Sequence, residues 1–217
     1  MKFKLTVIFL LVLIFGANAQ SVTYDNTSYG DDIRTVILQK AISIYDPLPL
    51  IALGSSERLR LSFDILSPNN EFFNYTYIHC DRNWQESSLQ QMEYISGKLM
   101  GDIVDFKFST NTYQRFTHYA LNFPEKDMEI TKSGNYILKI YRNFDLEDVV
   151  LTRRFMVLDR HTSISTNIRS ATDPEYRFTH QEVDFSVNYE GFTIPNPFLD
   201  VNVTVLQNNS WNNAIYN

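Results

Sequence analysis

The chain is poor in cysteine, glycine and proline: one Cys, seven Gly and seven Pro in 217 residues. One cysteine excludes a disulfide-stapled scaffold and a Cys-rich zinc module. So few glycines and prolines exclude a fibrous or low-complexity protein. Positive charge is also short, with 19 Lys and Arg against 25 Asp and Glu and a formal net charge of −6. A nucleic-acid binder carries a basic stripe instead, so no nucleic-acid partner is expected. After residue 20 no apolar run is long enough for a membrane-spanning helix, which needs about 20 residues, and no membrane insertion is expected. No Gly-rich phosphate loop, Gly-x-Ser-x-Gly or His-Glu-x-x-His occurs. What is present is a hydrophobic fraction of 44%, too high for a disordered chain.

The N-terminus carries an export pattern. Met1-Lys2-Phe3-Lys4 is a short basic start, and Leu5 to Phe15 is apolar apart from Thr6. Ala17 and Ala19 form the small-x-small pattern of a cleavage site before Gln20, so residues 1–19 read as a secretory signal peptide. Residues 20–31 read as a polar leader. Cys80 is then alone in an oxidising compartment, and the simplest role for its thiol is that of a small buried hydrophobe.

The rest reads as strands. In Leu59-Arg60-Leu61-Ser62-Phe63-Asp64-Ile65 the apolar residues fall on one face and the polar ones on the other, the period of a half-buried strand. Phe72 to Cys80 is β-branched and aromatic, and Tyr119, Leu121 and Phe123 alternate before Pro124. Residues 133–141 and Val149 to Leu158 read as a hairpin. Its Gly134-x-Tyr136 entry is similar to the tyrosine corner of immunoglobulin-like sandwiches, with Leu138 where antibody domains place a cysteine. A short helix, or a loop with one turn, is expected between Glu86 and Gly97. The pattern restarts near Asp159: Val183, Phe185, Val187 and Tyr189 alternate, as do Val201, Val203 and Val205, and residues 207–210 turn into Trp211. The fold class is therefore all-β: tandem immunoglobulin-like or fibronectin-like β-sandwich modules at 32–158 and 159–217. The second has only four strands, with no closing partner for the last, and is read as incomplete.

Candidate chemistry is sparse. In His79-Cys80-Asp81 a strand would send His79 and Asp81 to one face and Cys80 to the other, so the three cannot form one triad. His79 and Asp81 could share a metal, but His118, His161 and His180 add no ligand spacing. No catalytic residue, metal ligand or cofactor is expected. Asn26, Asn74, Asn202 and Asn208 each open an Asn-x-Ser/Thr sequon. Tyr24, Tyr29, Tyr75, Tyr77, Tyr94, Tyr113 and Tyr176 are candidates for partly exposed, partner-facing positions, against the alternative of ordinary strand-face tyrosines.

Several phrases are more specific. They are Ile78-His79-Cys80-Asp81-Arg82-Asn83-Trp84-Gln85 with Glu93-Tyr94-Ile95-Ser96-Gly97; Phe116-Thr117-His118-Tyr119 with Leu121-Asn122-Phe123-Pro124; Ser133-Gly134-Asn135-Tyr136-Ile137-Leu138; Leu151-Thr152-Arg153-Arg154-Phe155-Met156-Val157; and Thr179-His180-Gln181-Glu182-Val183-Asp184-Phe185. In this order and spacing the chain resembles the plug protein family of the type IX secretion system of Bacteroidetes. The resemblance implies an exported, non-enzymatic protein of the periplasm, associated with the outer membrane. Its implied partner is the very large outer-membrane β-barrel translocon, whose pore it would close from the periplasmic side. Family members continue past the position matching Asn217, so a truncated chain is expected. No active-site residue follows from the resemblance. His79, Asp81, Trp84, Tyr94, Tyr113 and His118 are the candidates for partner binding or for a structural lock on the first sandwich. The competing expectation is an exported carbohydrate-binding or adhesion module.

Overall fold

The structure, a computed structural model, describes residues 22–42, 48–189 and 193–216. The proposed cleavage residues Ala17, Ala19 and Gln20 lie outside them. Among the described residues no helix is long and apolar enough to cross a membrane.

Along the chain, β1 (Thr27–Ser28) is followed by β2 (Ile33–Lys40), β3 (Leu50–Ala52), β4 (Leu59–Ile65) and β5 (Phe73–Cys80). One helical turn, α1 (Gln91–Tyr94), leads into β6 (Ile95–Gly97), β7 (Gly101–Ile103) and β8 (Asp105–Phe108). Then come β9 (Thr117–Phe123), β10 (Met128–Ile130), β11 (Gly134–Arg142) and β12 (Val149–Leu158). The remainder holds β13 (Ser163–Ser170), β14 (Gln181–Asn188), a helical turn α2 (Pro197–Asp200), β15 (Thr204–Gln207) and β16 (Ser210–Tyr216).

Up to Leu158 these strands make a sandwich. One sheet runs β1-β12-β11-β5-β7, with β3 added parallel to β12; the other runs β2-β4-β9-β8; β6 and β10 form a small ladder of their own. The alternation in β4 becomes burial: Leu59, Leu61, Phe63 and Ile65 are all 0% exposed. Aromatic rings bridge the sheets. Phe63 and Tyr119 stack at 5.3 Å, and both present edges to Phe73 of the facing sheet, at 5.5 and 4.8 Å. Phe155 meets Phe123 at 5.2 Å and stacks on Tyr136 at 5.3 Å. Such pairs add roughly 0.5–1.5 kcal/mol each beyond their buried area. Where an antibody domain would have a disulfide, packing does the work: Leu138 is fully buried. The corner tyrosine completes its bond, with the Tyr136 hydroxyl donating to the Lys132 carbonyl at 2.8 Å.

Of the two expectations for 86–97, a short helix or a loop with one turn, the structure has the single turn α1, and several other expectations need correction. Gln90 and Glu93 form a capping box, but Ile95 already has extended backbone and pairs with Ile130 across the β6–β10 ladder. Gly97 sits in that ladder at φ +93°, where a Cβ would collide with the Asp127 carbonyl. Tyr75, Tyr77 and Tyr94 are core residues, not partly exposed ones. The sequon at Asn74 is buried: its amide donates to Asp102 and its oxygen accepts from the Phe144 N–H. Part of the leader is woven into the sheet, since Thr27 and Ser28 pair with Thr152 and Leu151 of β12.

Beyond Leu158 the chain forms two antiparallel hairpins, β13–β14 and β15–β16, with no ladder between them among the described residues. The strand expected from Val201 starts only at Thr204. Asn208 and Asn209 both have positive φ, 53° and 56°, which a two-residue type I′ hairpin turn requires and asparagine tolerates.

Candidate functional site

The His79–Asp81 phrase marks the end of β5 and the loop after it. The strand stops at Cys80, so Asp81 is a turn residue and shares no strand face with His79. Its carboxylate accepts the backbone N–H groups of Asn83 (2.8 Å) and Gln85 (2.9 Å), and its carbonyl accepts from Asn135 (3.0 Å). This turn drives Trp84 to φ +61°, a conformation costly for a bulky residue. The indole goes inward, 2% exposed, against Cys80 and Ile137.

His79 is held on both sides. Its Nε2 faces the Ser133 carbonyl (3.3 Å) and its Nδ1 the Ser87 hydroxyl (2.8 Å). A carbonyl only accepts, so the Nε2 contact uses a proton on Nε2. The ring packs edge-on to Tyr136 at 5.0 Å and lies 5.6 Å from Tyr94, whose hydroxyl donates to the Tyr77 carbonyl. Gly134 permits this: a Cβ there would lie 2.5 Å from Nε2, and φ is +145°. His79, Asp81, Trp84 and Tyr94 thus converge on one end of the first sandwich. His118 does not join them; it lies on β9 opposite Asp64 of β4, with Nδ1 at 2.6 Å from the carboxylate. Tyr113 stands apart too, fully exposed in the loop between β8 and β9. Phe108, which ends β8 next to that loop, and Val104, which precedes β8 at its other end, are exposed.

Cys80 is a free thiol under Trp84. Burial, with Glu86 and Asp81 nearby, pushes its pKa up to about 12, which keeps it protonated and unreactive at neutral pH. No group of three or more His, Cys, Asp or Glu among the described residues is placed to hold a metal.

Sequence reasoning missed the neighbours that complete this end. The Arg154 guanidinium lies 4.6 Å over the Trp84 ring and 5.9 Å from Trp211 of the second hairpin pair; the two indoles meet edge-on at 4.9 Å. Arg154 also donates twice to the Tyr24 carbonyl and pairs with Asp25 at 3.4 Å. The Tyr24 hydroxyl donates to Glu86 at 2.5 Å. Arg82 adds a hydrogen bond to Asn202. The cluster therefore joins the N-terminal segment, the first sandwich and the last hairpin. No short-range pattern could show this, because its members are separated by up to 187 positions, from Tyr24 to Trp211.

Residues 33–159 match the family model described as type 9 secretion system plug protein 1st domain. The chain belongs to this family. The matched span begins at the first residue of β2 and ends one residue past β12, so the plug domain is the first sandwich. The crystal structure at 2.30 Å of a hypothetical protein from Parabacteroides merdae ATCC 43184 is similar to the chain, with a TM-score of 0.84 and 29% identity. The match covers 90% of this chain and 49% of that one, so the chain spans about half the length of that protein. An alkylpurine DNA glycosylase of Pseudomonas fluorescens aligns at a TM-score of 0.33 and 11% identity, over 58% of this chain and 30% of its own. That likeness carries no argument. No curated protein matches the chain.

Proposed function

We propose that this plug-family chain acts without catalysis, as part of a periplasmic body that closes the pore of the outer-membrane translocon barrel of the type IX system. The carrying observation is that the family match covers the first sandwich from β2 to the end of β12. The physical properties agree with the role. A plug must be a rigid body, and the aromatic bridges between the sheets make this one stiff. In this reading Trp84 and Tyr94 act as locks on the sandwich end, since both are buried. The barrel-facing contact is assigned to Tyr113 with Val104 and Phe108, the exposed apolar residues around β8. An aromatic anchor surrounded by polar loop residues suits an interface that must also release.

Affinity purification from the native cell envelope tests the reading: a very large outer-membrane barrel should co-purify. Tyr113→Ala should weaken that capture while leaving the fold intact. Recovery of a soluble glycan with no barrel would overturn the proposal in favour of an adhesion or carbohydrate-binding module.

A further inference from the structure

β11 and β12 carry three half-buried arginines, Arg142, Arg153 and Arg154, and two of them have carboxylate partners. Arg142 is ringed by Glu71 (2.9 Å), Asp148 (3.3 Å) and Asp32 (3.5 Å). Arg154 has Asp25. Arg153 has none within ion-pair distance among the described residues, although the chain is rich in carboxylates. Its position makes this costly. On β12 it falls in line with Leu151, Phe155 and Val157, the residues that face the opposite sheet, and it is partly buried. Desolvation, with no compensating anion, draws its pKa down to about 10. A buried guanidinium stays charged, and a buried charge is costly without a partner.

The donor inventory shows what is missing. A guanidinium has five N–H donors. Nη1 uses both of its own on the carbonyls of Thr27 (2.8 Å) and Thr152 (2.7 Å), and Nη2 uses one on the Ser28 hydroxyl (3.0 Å). Among the described residues Nε–H and one Nη2–H are left without a partner. Adjacent nitrogens of this kind engage the two oxygens of one carboxylate. Arg153 lines a cleft of about 360 Å³ between the sandwich edge and the last hairpin. Val36, Leu38 and Trp211 form its apolar walls, and Arg154 and Asn209 its polar ones.

We propose that this cleft binds an acidic side chain carried on an extended peptide segment of a protein partner, its carboxylate held by Arg153. The charge is complementary, the apolar walls fit the methylenes and neighbouring side chains of a peptide, and the Asn209 amide can pair with peptide backbone. The site is independent of the proposed barrel contact, which lies at β8.

The test is titration of the ¹⁵N-labelled chain with N-acetyl-glutamate N-methylamide, reading the arginine Nε–H resonances. Acetate and chloride are added separately at matched ionic strength. The expected result is a saturable shift of the Arg153 Nε–H with the glutamate diamide, at lower concentration than with acetate and absent with chloride. The resonance is assigned by its disappearance in Arg153→Met. Arg153→Lys keeps the charge and the fold but loses the fork, and should weaken diamide binding, read from the backbone amides around the cleft, at least about tenfold. An equal response to chloride would reduce the effect to screening and overturn the site. Acetate binding as tightly as the diamide would overturn the peptide occupant in favour of a small free carboxylate. Full affinity in Arg153→Lys would overturn the bidentate contact.

Discussion

Two stretches of this chain carry the same two-residue alternation and meet different fates. In β4 the in-facing Leu59, Leu61, Phe63 and Ile65 are completely buried. In β13 Ile164 and Ile168 remain 64% and 60% exposed, although they face Val187 and Val183 across a well-formed ladder. Alternation therefore places apolar residues on one side of a strand and pairing builds the ladder, but only a second sheet removes that side from water. At about 25 cal/mol per Å² of apolar surface, that covering layer decides whether a hairpin contributes to stability.

The largest break in this comparison comes from truncating one ring in each region. Phe155→Ala removes a fully buried side chain that touches Tyr77, Phe123 and Tyr136, and should cost about 3–5 kcal/mol in urea denaturation. Ile168→Ala, on the exposed face, should change the same measurement by less than about 0.5 kcal/mol.

Alkaline pH sharpens the contrast next. Cys80 and the buried tyrosines, Tyr75, Tyr77 and Tyr136 among them, have pKa values raised by burial, all in the first sandwich. A raised acid pKa means that the folded state binds protons more tightly than the unfolded one, so stability falls as pH rises. The loss from Cys80 should begin near its ordinary value of 9.0 and run to about 12. Urea midpoints should be flat near neutrality and drop above pH 9, and Cys80→Ala should flatten the start of that drop.

A smaller effect is expected at the joint between the regions. Trp211→Ala removes the ring that meets Trp84 and Arg154. It should speed proteolysis beyond Leu158 several-fold while changing the sandwich's unfolding free energy in urea by about 1 kcal/mol or less. The smallest effect belongs to β13–β14 itself. The Arg169–Glu182 pair is short at 2.7 Å, yet solvent surrounds it. Arg169→Ala should leave the denaturation curve in place, because exposed ion pairs are screened and pay side-chain entropy.

These differences mark what could be read from residues alone. β4 and β9 were legible from their two-residue alternation, and β5, β11 and β12 from dense runs of β-branched, aromatic and other apolar residues closed by turns. The tyrosine corner was legible because its spacing is local. The strand at Ile95–Gly97 was not, since its pairing with Met128–Ile130 comes from more than thirty residues away and overrides the capping signals at Gln90 and Glu93. The inward turn of Trp84 was also hidden, because it depends on a left-handed backbone set by Asp81. Tyrosine content pointed to the surface, but Tyr75 and Tyr77 lie on the face of β5 that meets the other sheet, and position on the strand outweighs the polar tip.

The stitching of the N-terminal segment to β12 also bears on the order of assembly. Tyr24, Asp25, Asn26 and Thr27 take their hydrogen bonds from Thr152, Arg153 and Arg154, almost 130 positions later. As the chain is synthesised, its first strand has nothing to pair with until nearly the whole sandwich sequence exists. Closing so long a loop carries a high entropic cost before any contact repays it. β1 can therefore join its sheet only once β12 is in place, and its attachment reports that the last strand of the sandwich has arrived.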